Sequence, residues 1–247
     1  MLDDNSKIYL SVIIPAFNEE QRLLGTLRQV GEYLQQQAYQ SEILVVDDGS
    51  SDGTGSIVSS WTGGTVPVRL LRHADGKNHG KGASTRLGIL EARGAFRLFM
   101  DADNSTTVDH VSQFLPFFEQ GYDVVIGSRK LPGSNVTVHQ SWFKEFAGRM
   151  GNKAIQWLAV PGIQDTQAGF KVFTRRSAEI IFPRLTIDRW GFDIEILVIA
   201  GLHGCRIREV PITWINSPAS KVRFGSYFQV LSEIWQIRRN ANAGRYA

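Results

Sequence analysis

Asp101 and Asp103, one residue apart, close the apolar run Phe96 to Met100. A short apolar run reads as a buried strand. Open α/β sheets bind ligands in the crevice outside the carboxyl ends of their strands. Two hard carboxylates flanking the small Ala102 suit a divalent cation that carries substrate phosphates. A polar strand end is the competing reading. A second apolar run, Ile43 to Val46, ends in Asp47-Asp48-Gly49-Ser50. One of its carboxylates can accept a hydrogen bond from a nucleobase N–H or a ribose hydroxyl, or the segment is an ordinary glycine turn. Together the two strand ends point to a nucleoside diphosphate with a metal.

Cations follow the same logic. Gly76-Lys77-Asn78-His79-Gly80-Lys81-Gly82 places two lysines ahead of a helix start, where a diphosphate can bind. It is neither a Walker A loop nor G-x-G-x-x-G, because Gly82 follows Lys81 and Thr85 holds the third glycine position. A solvated basic loop remains the alternative. Arg129 and Lys130 follow the apolar run Asp123 to Ile126 and suit a second anionic group. Gly169, within Asp165 to Lys171, allows a close backbone approach to a ligand; Asp193 and Glu195 lie at a helix start, where capping competes with chemistry. Ser220-Lys221 lies in a polar loop that can close over phosphates. The opening Ser11 to Glu20 runs a strand through Pro15 into an acidic helix start.

The elements that hold these residues alternate. Strands are expected at Leu10 to Ile14, Ile43 to Val46, Val68 to Leu71, Phe96 to Met100 and Asp123 to Ile126. Helices are expected at Glu19 to Gln37, after Thr54, over Gly82 to Arg93 and over Val108 to Glu119. Such alternation predicts a mostly parallel sheet with helices on both faces. Later come an amphipathic segment over Ser141 to Leu158, a strand at Phe170 to Thr174, a helix from Phe192, a strand at Glu209 to Ile215 and an amphipathic helix over Phe224 to Arg239. No repeat or linker interrupts the 247 residues, which predicts one domain: about 8–130 for the nucleotide and about 131–247 for the acceptor and the membrane.

Bulk properties narrow the class. A net charge of +3 without basic clustering argues against nucleic-acid binding. The single Cys205 excludes an internal disulfide and a cysteine metal site. The five histidines form no H-E-x-x-H, and there is no G-x-S-x-G. The first residues lack signal-peptide character, and no apolar run nears the roughly 20 residues that span a bilayer, so a cytoplasmic enzyme with peripheral membrane contact is expected. The sequons at Asn104 and Asn135 then read as chance. Lys144, Arg149, Lys153, Arg238 and Arg239 interleave with Phe143, Phe146, Trp157 and Trp235, which suits an anionic interface. Packing on the core or a partner is the alternative.

VIIPAFNEE, VVDDGSSDGT, GKG and MDAD, in this order, resemble the nucleotide-sugar half of the family 2 glycosyltransferases of the GT-A fold. GSRK, DTQAGFKVF, RWGFDIEILVIA, EVPITW and SK extend the resemblance, from about Leu10 to Val222, to the polyprenyl-phosphate sugar transferases, most closely the dolichyl-phosphate β-glucosyltransferases. The resemblance implies an inverting transfer of a sugar from a nucleoside diphosphate, UDP above all, to the phosphate of a long isoprenoid on the cytosolic side of a membrane. It implies that Pro15, Ala16, Glu19 and Asp47 hold the nucleoside. Asp101, Ala102 and Asp103 would meet the diphosphate and its Mg2+ or Mn2+, with Lys81 beside them. Arg129 would meet the lipid phosphate, and Lys221 would help close on the donor. Two departures stand out. Related mannosyl transferases often carry Gln where this chain has Ser105, and many glucosyl relatives have a transmembrane anchor at one end.

The acceptor chemistry follows from charge. A phosphate monoester, with a second pKa of about 6, is largely ionised at neutral pH and needs a cationic seat rather than a general base. Arg129 is therefore the expected seat, and Asp193 and Glu195 are left without a base role. A transferase acting on a glycan hydroxyl would need such a base; its processive form lacks Q-x-x-R-W here, since Thr186 precedes Arg189-Trp190. A silent nucleotide- or membrane-binding module and a nucleotidyltransferase are the remaining alternatives.

Overall fold

The structure, a computed structural model, describes residues 8–136, 162–215 and 226–247. The expected segment Ser141 to Leu158, Lys144, Arg149, Lys153 and the loop with Lys221 lie outside the described residues.

A seven-stranded sheet runs β3-β2-β1-β4-β7-β5-β8. Its strands are β1 (Leu10–Ala16), β2 (Ser41–Asp47), β3 (Val68–Arg72), β4 (Phe96–Met100), β5 (Val124–Ser128), β7 (Phe170–Thr174) and β8 (Ile207–Pro211). A two-stranded sheet pairs β6 (Asn135–Val136) with β9 (Thr213–Trp214). β1 pairs with β2 from Leu10↔Ser41 to Ala16↔Asp47, and with β4 from Leu10↔Phe96 to Ile13↔Phe99. All rungs are parallel except those of β7, which lies antiparallel between β4 and β5. The carboxyl ends of β1, β2, β4 and β5 therefore meet the amino end of β7 along one sheet edge. Chain order reverses between β1 and β4, which opens the crevice there.

Burial on both sides explains the continuous apolar runs: every residue of β1 and β2 is buried. Alternate residues serve opposite layers. Val12 and Ile14 pack with Leu23, Leu27, Val30 and Leu34 of α1 (Leu23–Gln35), Val58 of α2 (Thr54–Ser59) and Phe114 of α4 (Val111–Glu119). Ile13 packs with Ile89 of α3 (Lys81–Glu91), Ile181 of α5 (Arg175–Ile181), Ile196 of α6 (Phe192–Leu202) and Ile237 of α7 (Ser226–Asn242).

Four local features differ from the expected elements. α1 begins four residues after the expected Glu19, whose carbonyl accepts from Leu23 N (2.9 Å). The backbone N–H groups of Glu19 and Glu20 donate to Thr54 Oγ1 (2.8 Å) and Asp52 Oδ2 (3.2 Å), so these two residues stand ahead of the helix rather than belong to it. Pro15 lies within β1 rather than beyond it; it stands past the last β1–β4 rung, where a missing donor costs little. The expected strand Glu209 to Ile215 divides into β8 and β9. In α7, Ile234 and Ile237 are buried, whereas Trp235 is 65% exposed and does not join the apolar face expected for it.

Candidate active site

The site is assembled from the loops leaving β1, β2, β4 and β5, closed by the turn entering β7. The first two loops lock together. Asn18, at φ 53°, gives its N–H to Ser50 Oγ (2.9 Å) and takes the Ser51 N–H on Oδ1 (2.9 Å), while Glu20 Oε2 accepts from Gly53 N (2.7 Å). Glu19 pairs with Arg22 at 2.5 Å. Asp47 is buried at the tip of β2, where its carboxylate accepts from Ser50 N and from Arg72 Nε, each at 3.0 Å.

Asp48 shapes the loop before α3. Its carboxylate accepts from His79 N (2.9 Å), Gly80 N (2.9 Å) and Asn78 Nδ2 (2.8 Å). The Gly76 to Gly82 loop is thus braced rather than freely solvated. Gly80 sits at φ +106°, and a β-carbon there would lie 2.6 Å from the Asp188 carbonyl oxygen. This brings Lys81 to Asp101, with Nζ 2.5 Å from Oδ1. Burial is the largest influence on Lys81 and lowers its pKa; the carboxylates of Asp101, Asp193 and Asp103 outweigh it and hold the ammonium above its ordinary range.

β4 ends at Met100, so Asp101 and Asp103 lie in the turn beyond it. Asp103 Oδ1 accepts from Ser105 N at 3.0 Å, and Ala102 carbonyl accepts from Thr26 Oγ1 at 2.7 Å. The Asp101 carboxylate lies so close over Gly169 that a β-carbon there would collide with it. The two acid side chains keep 33% and 25% exposure. Among the described residues no three Asp, Glu, His or Cys side chains gather into a complete metal shell. Two hard carboxylates at the crevice fit an ion that takes its other ligands from substrate phosphates and water.

Arg129 follows β5 and is held three times by Asp165: N and Nε to Oδ2 (2.9 and 2.8 Å), Nη2 to Oδ1 (2.9 Å). Its guanidinium stands 5.4 Å from the Trp214 ring centroid. Burial alone would raise the Asp165 carboxyl, but Arg129 and Lys130 pull it down to about 2. Glu209 on β8 fixes the Asp165 loop, accepting from Gln164 N (2.7 Å) and Asp165 N (2.9 Å). Burial holds the Lys130 ammonium below its ordinary range.

The two acids of α6 do different work. Asp193 pairs with the fully buried Lys171 of β7 at 2.5 Å. Glu195 does not cap its own helix; it accepts from Thr186 Oγ1 (2.6 Å), Ile187 N (2.9 Å) and Tyr246 OH (2.6 Å).

Of the residues singled out from sequence, Asp101 and Lys81 meet directly, and Arg129, one strand removed beyond β7, feels the Asp101 charge. Pro15, Ala16, Glu19 and Asp47 line the β1–β2 side. Asp103 faces Arg22 at 4.0 Å. Asp48, one of the two carboxylates considered for the nucleoside, is instead taken up by the Asn78 to Gly80 backbone and side chain, while Arg72, Lys171 and Glu209 had no expected role. Lys171 carried a signal: it is the one charged residue in Phe170-Lys171-Val172-Phe173, a run otherwise fit for the core.

A mostly parallel sheet of this order between two helical layers, with a carboxylate turn at its reversal point, is the architecture of the GT-A glycosyltransferases. The glycosyl transferase family 2 profile matches residues 11–182, and the chain belongs to that family. It is 37% identical over 244 residues to a dolichyl-phosphate beta-glucosyltransferase of Dictyostelium discoideum, covering 94% of this chain and 74% of the relative. To the dolichyl-phosphate beta-glucosyltransferase of Homo sapiens it is 33% identical over 249 residues, covering 95% and 76%. Among solved structures it is similar to glucosyl-3-phosphoglycerate synthase from Mycobacterium tuberculosis in complex with Mn2+, uridine-diphosphate-glucose and phosphoglyceric acid. The TM-score is 0.64 at 17% identity, over 94% of this chain and 80% of that one, a likeness of fold.

Proposed function

We propose that this glycosyltransferase moves glucose from UDP-glucose to the phosphate of dolichyl or another polyprenyl phosphate, with inversion at the sugar carbon. The observation that carries the reading is a pair of cations along the carboxyl edge of the sheet, each held by an acid: Lys81, at the start of α3, by Asp101, and Arg129, after β5, by Asp165. Two phosphate-bearing substrates need two such seats. The names of the relatives support glucose and dolichyl phosphate, and the uridine-diphosphate-glucose complex of the mycobacterial synthase supports the donor.

In this reading Pro15, Ala16, Glu19 and Asp47 hold the nucleoside, and Lys81 and Ala102 adjoin the diphosphate. Asp101 and Asp103 would hold Mg2+ or Mn2+, which supplies Lewis-acid neutralisation of the leaving diphosphate. Arg129 seats the acceptor phosphate, kept in aim by Asp165. The acceptor arrives ionised, so its oxygen forms the new bond to the sugar carbon as the carbon–diphosphate bond breaks, through an oxocarbenium-like state. No side chain has to remove a proton. Lys221 is assigned to closure over the donor. The half from about residue 131 is assigned to the acceptor, and the exposed Trp235 beside Arg238 and Arg239 supports peripheral contact with the cytosolic face of a membrane. Among the described residues no helix is long and apolar enough to cross a membrane.

A panel of nucleotide sugars offered with polyprenyl phosphate and a divalent ion tests the reading. Lipid-linked glucose from UDP-glucose is the expected product. Transfer to a soluble glycan hydroxyl, with none to the lipid phosphate, would overturn it.

A further inference from the structure

The geometry points to Lys171 as the residue that sets the acceptor class: by pairing with Asp193 it withholds that carboxylate from service as a general base, so that only an acceptor already ionised is glycosylated. This rests on the function proposed above and deepens it.

Lys171 is the second residue of β7, in register with Phe99 of β4 and Ile126 of β5, and is 0% exposed. An ammonium in such a place is costly unless paired and hydrogen-bonded. Its partners are Asp193 Oδ1 at 2.5 Å and the Ala168 carbonyl at 2.6 Å, and its Nζ lies 5.3 Å from the Phe99 ring centroid. Asp193, in the first turn of α6, is 5% exposed and sits within the field of both phosphate seats, since its charge acts on Lys81 and on Arg129. The surrounding charges are Lys81 on α3, Asp101 and Asp103 after β4, Arg129 after β5 and Asp165 before β7. A carboxylate in that position is well placed to take a proton from a hydroxyl or water attacking the sugar carbon. Lys171 ties its Oδ1 into the buried ion pair. A phosphate acceptor loses nothing by this, because it brings no proton to remove.

Replacing Lys171 by an uncharged side chain of similar length would release Asp193. Water would then compete as acceptor: its oxygen bonds to the sugar carbon, the carbon–diphosphate bond breaks, and its proton passes to Asp193 and on to solvent. Wild type, Lys171→Met and Lys171→Met/Asp193→Asn are compared with UDP-glucose and Mn2+, with and without a short polyprenyl phosphate. UDP release and lipid-linked glucose are both followed. In Lys171→Met the ratio of UDP released to lipid product should rise about a hundredfold or more, the low end of what a positioned base supplies. In the double variant it should return to the wild-type value. An unchanged ratio in folded Lys171→Met, or a raised ratio that persists in the double variant, overturns the assignment. Should Lys171→Met fail to fold, the double variant decides. Lipid transfer within about tenfold of wild type agrees with a carboxylate kept idle, and a loss beyond about a hundredfold in folded protein refutes it. If wild type forms no lipid-linked glucose, the proposed function fails instead, while UDP release by Lys171→Met relative to wild type still reports on Lys171.

Discussion

Gly169 and Asp101 occupy adjoining space: a β-carbon at 169 would fall on the carboxylate that also pairs with Lys81. Catalytic groups lose much of their effect when displaced by as little as about 1 Å. Gly169→Ala should therefore lower kcat/KM by about a hundredfold while moving the melting temperature by only a few degrees. Steady-state kinetics and a thermal melt on the same preparation check this. Equal kinetics in the alanine variant would mean that Asp101 shifts freely. The sequence marked Gly169 as a place of close approach but did not say to what; the partner lies in the turn after β4, 68 positions earlier in the chain, and only the antiparallel pairing of β7 with β4 sets them face to face.

At the scale of elements, β5, β7 and β8 are joined at the site by Arg129, Asp165 and Glu209. The Asp165 carboxyl is held at about 2, below the ordinary value near 3.9 that it takes when unfolded. A depressed folded value adds stability that is fully present above the unfolded pKa and is lost as pH falls from about 4 through 2. The shift corresponds to roughly 2 kcal/mol. Asp165→Asn should be less stable than wild type by about that amount at pH 6, and the gap should narrow as the pH approaches 3. Urea denaturation at pH 6, 4 and 3 measures it; a gap independent of pH would show that the ion pair is not its source. The element boundaries were legible where apolar runs are long. They slipped by a few residues at the ends, as at the start of α1, where Thr54 and Asp52 from another loop cap the backbone ahead of the helix. The short helix α5 offers little periodicity and was not expected.

At the scale of the whole molecule, the last residues fold back onto α6. Tyr246 is 1% exposed, its hydroxyl donates to Glu195, and its carbonyl accepts from Arg184 Nε at 3.1 Å. Glu195 in turn holds Thr186 and Ile187, whose loop continues to the Asp188 carbonyl that accepts from Ala83 N at 3.1 Å beside Lys81. Tyr246→Phe leaves a buried carboxylate short of one donor and should cost about 1–3 kcal/mol. That lowers the melting temperature by several degrees in a chain of this size, and differential scanning calorimetry reads it directly. An unchanged melt would show that the C-terminal contact contributes nothing to global stability.

What the sequence determined by itself was the layer plan and the kind of chemistry. Continuous apolar runs require two-sided burial, and carboxylates with cations at strand ends suit phosphate-bearing ligands. Only the tertiary structure decided which charge meets which. Strand periodicity assigns a side chain to a face but not to a neighbour. The insertion of β7 between β4 and β5 places Gly169 beneath Asp101, and helix packing against that sheet brings Lys81 to Asp101 and Asp193 to Lys171. Those pairings span tens of residues, and their geometry is set by close packing of the layers rather than by anything local in the chain.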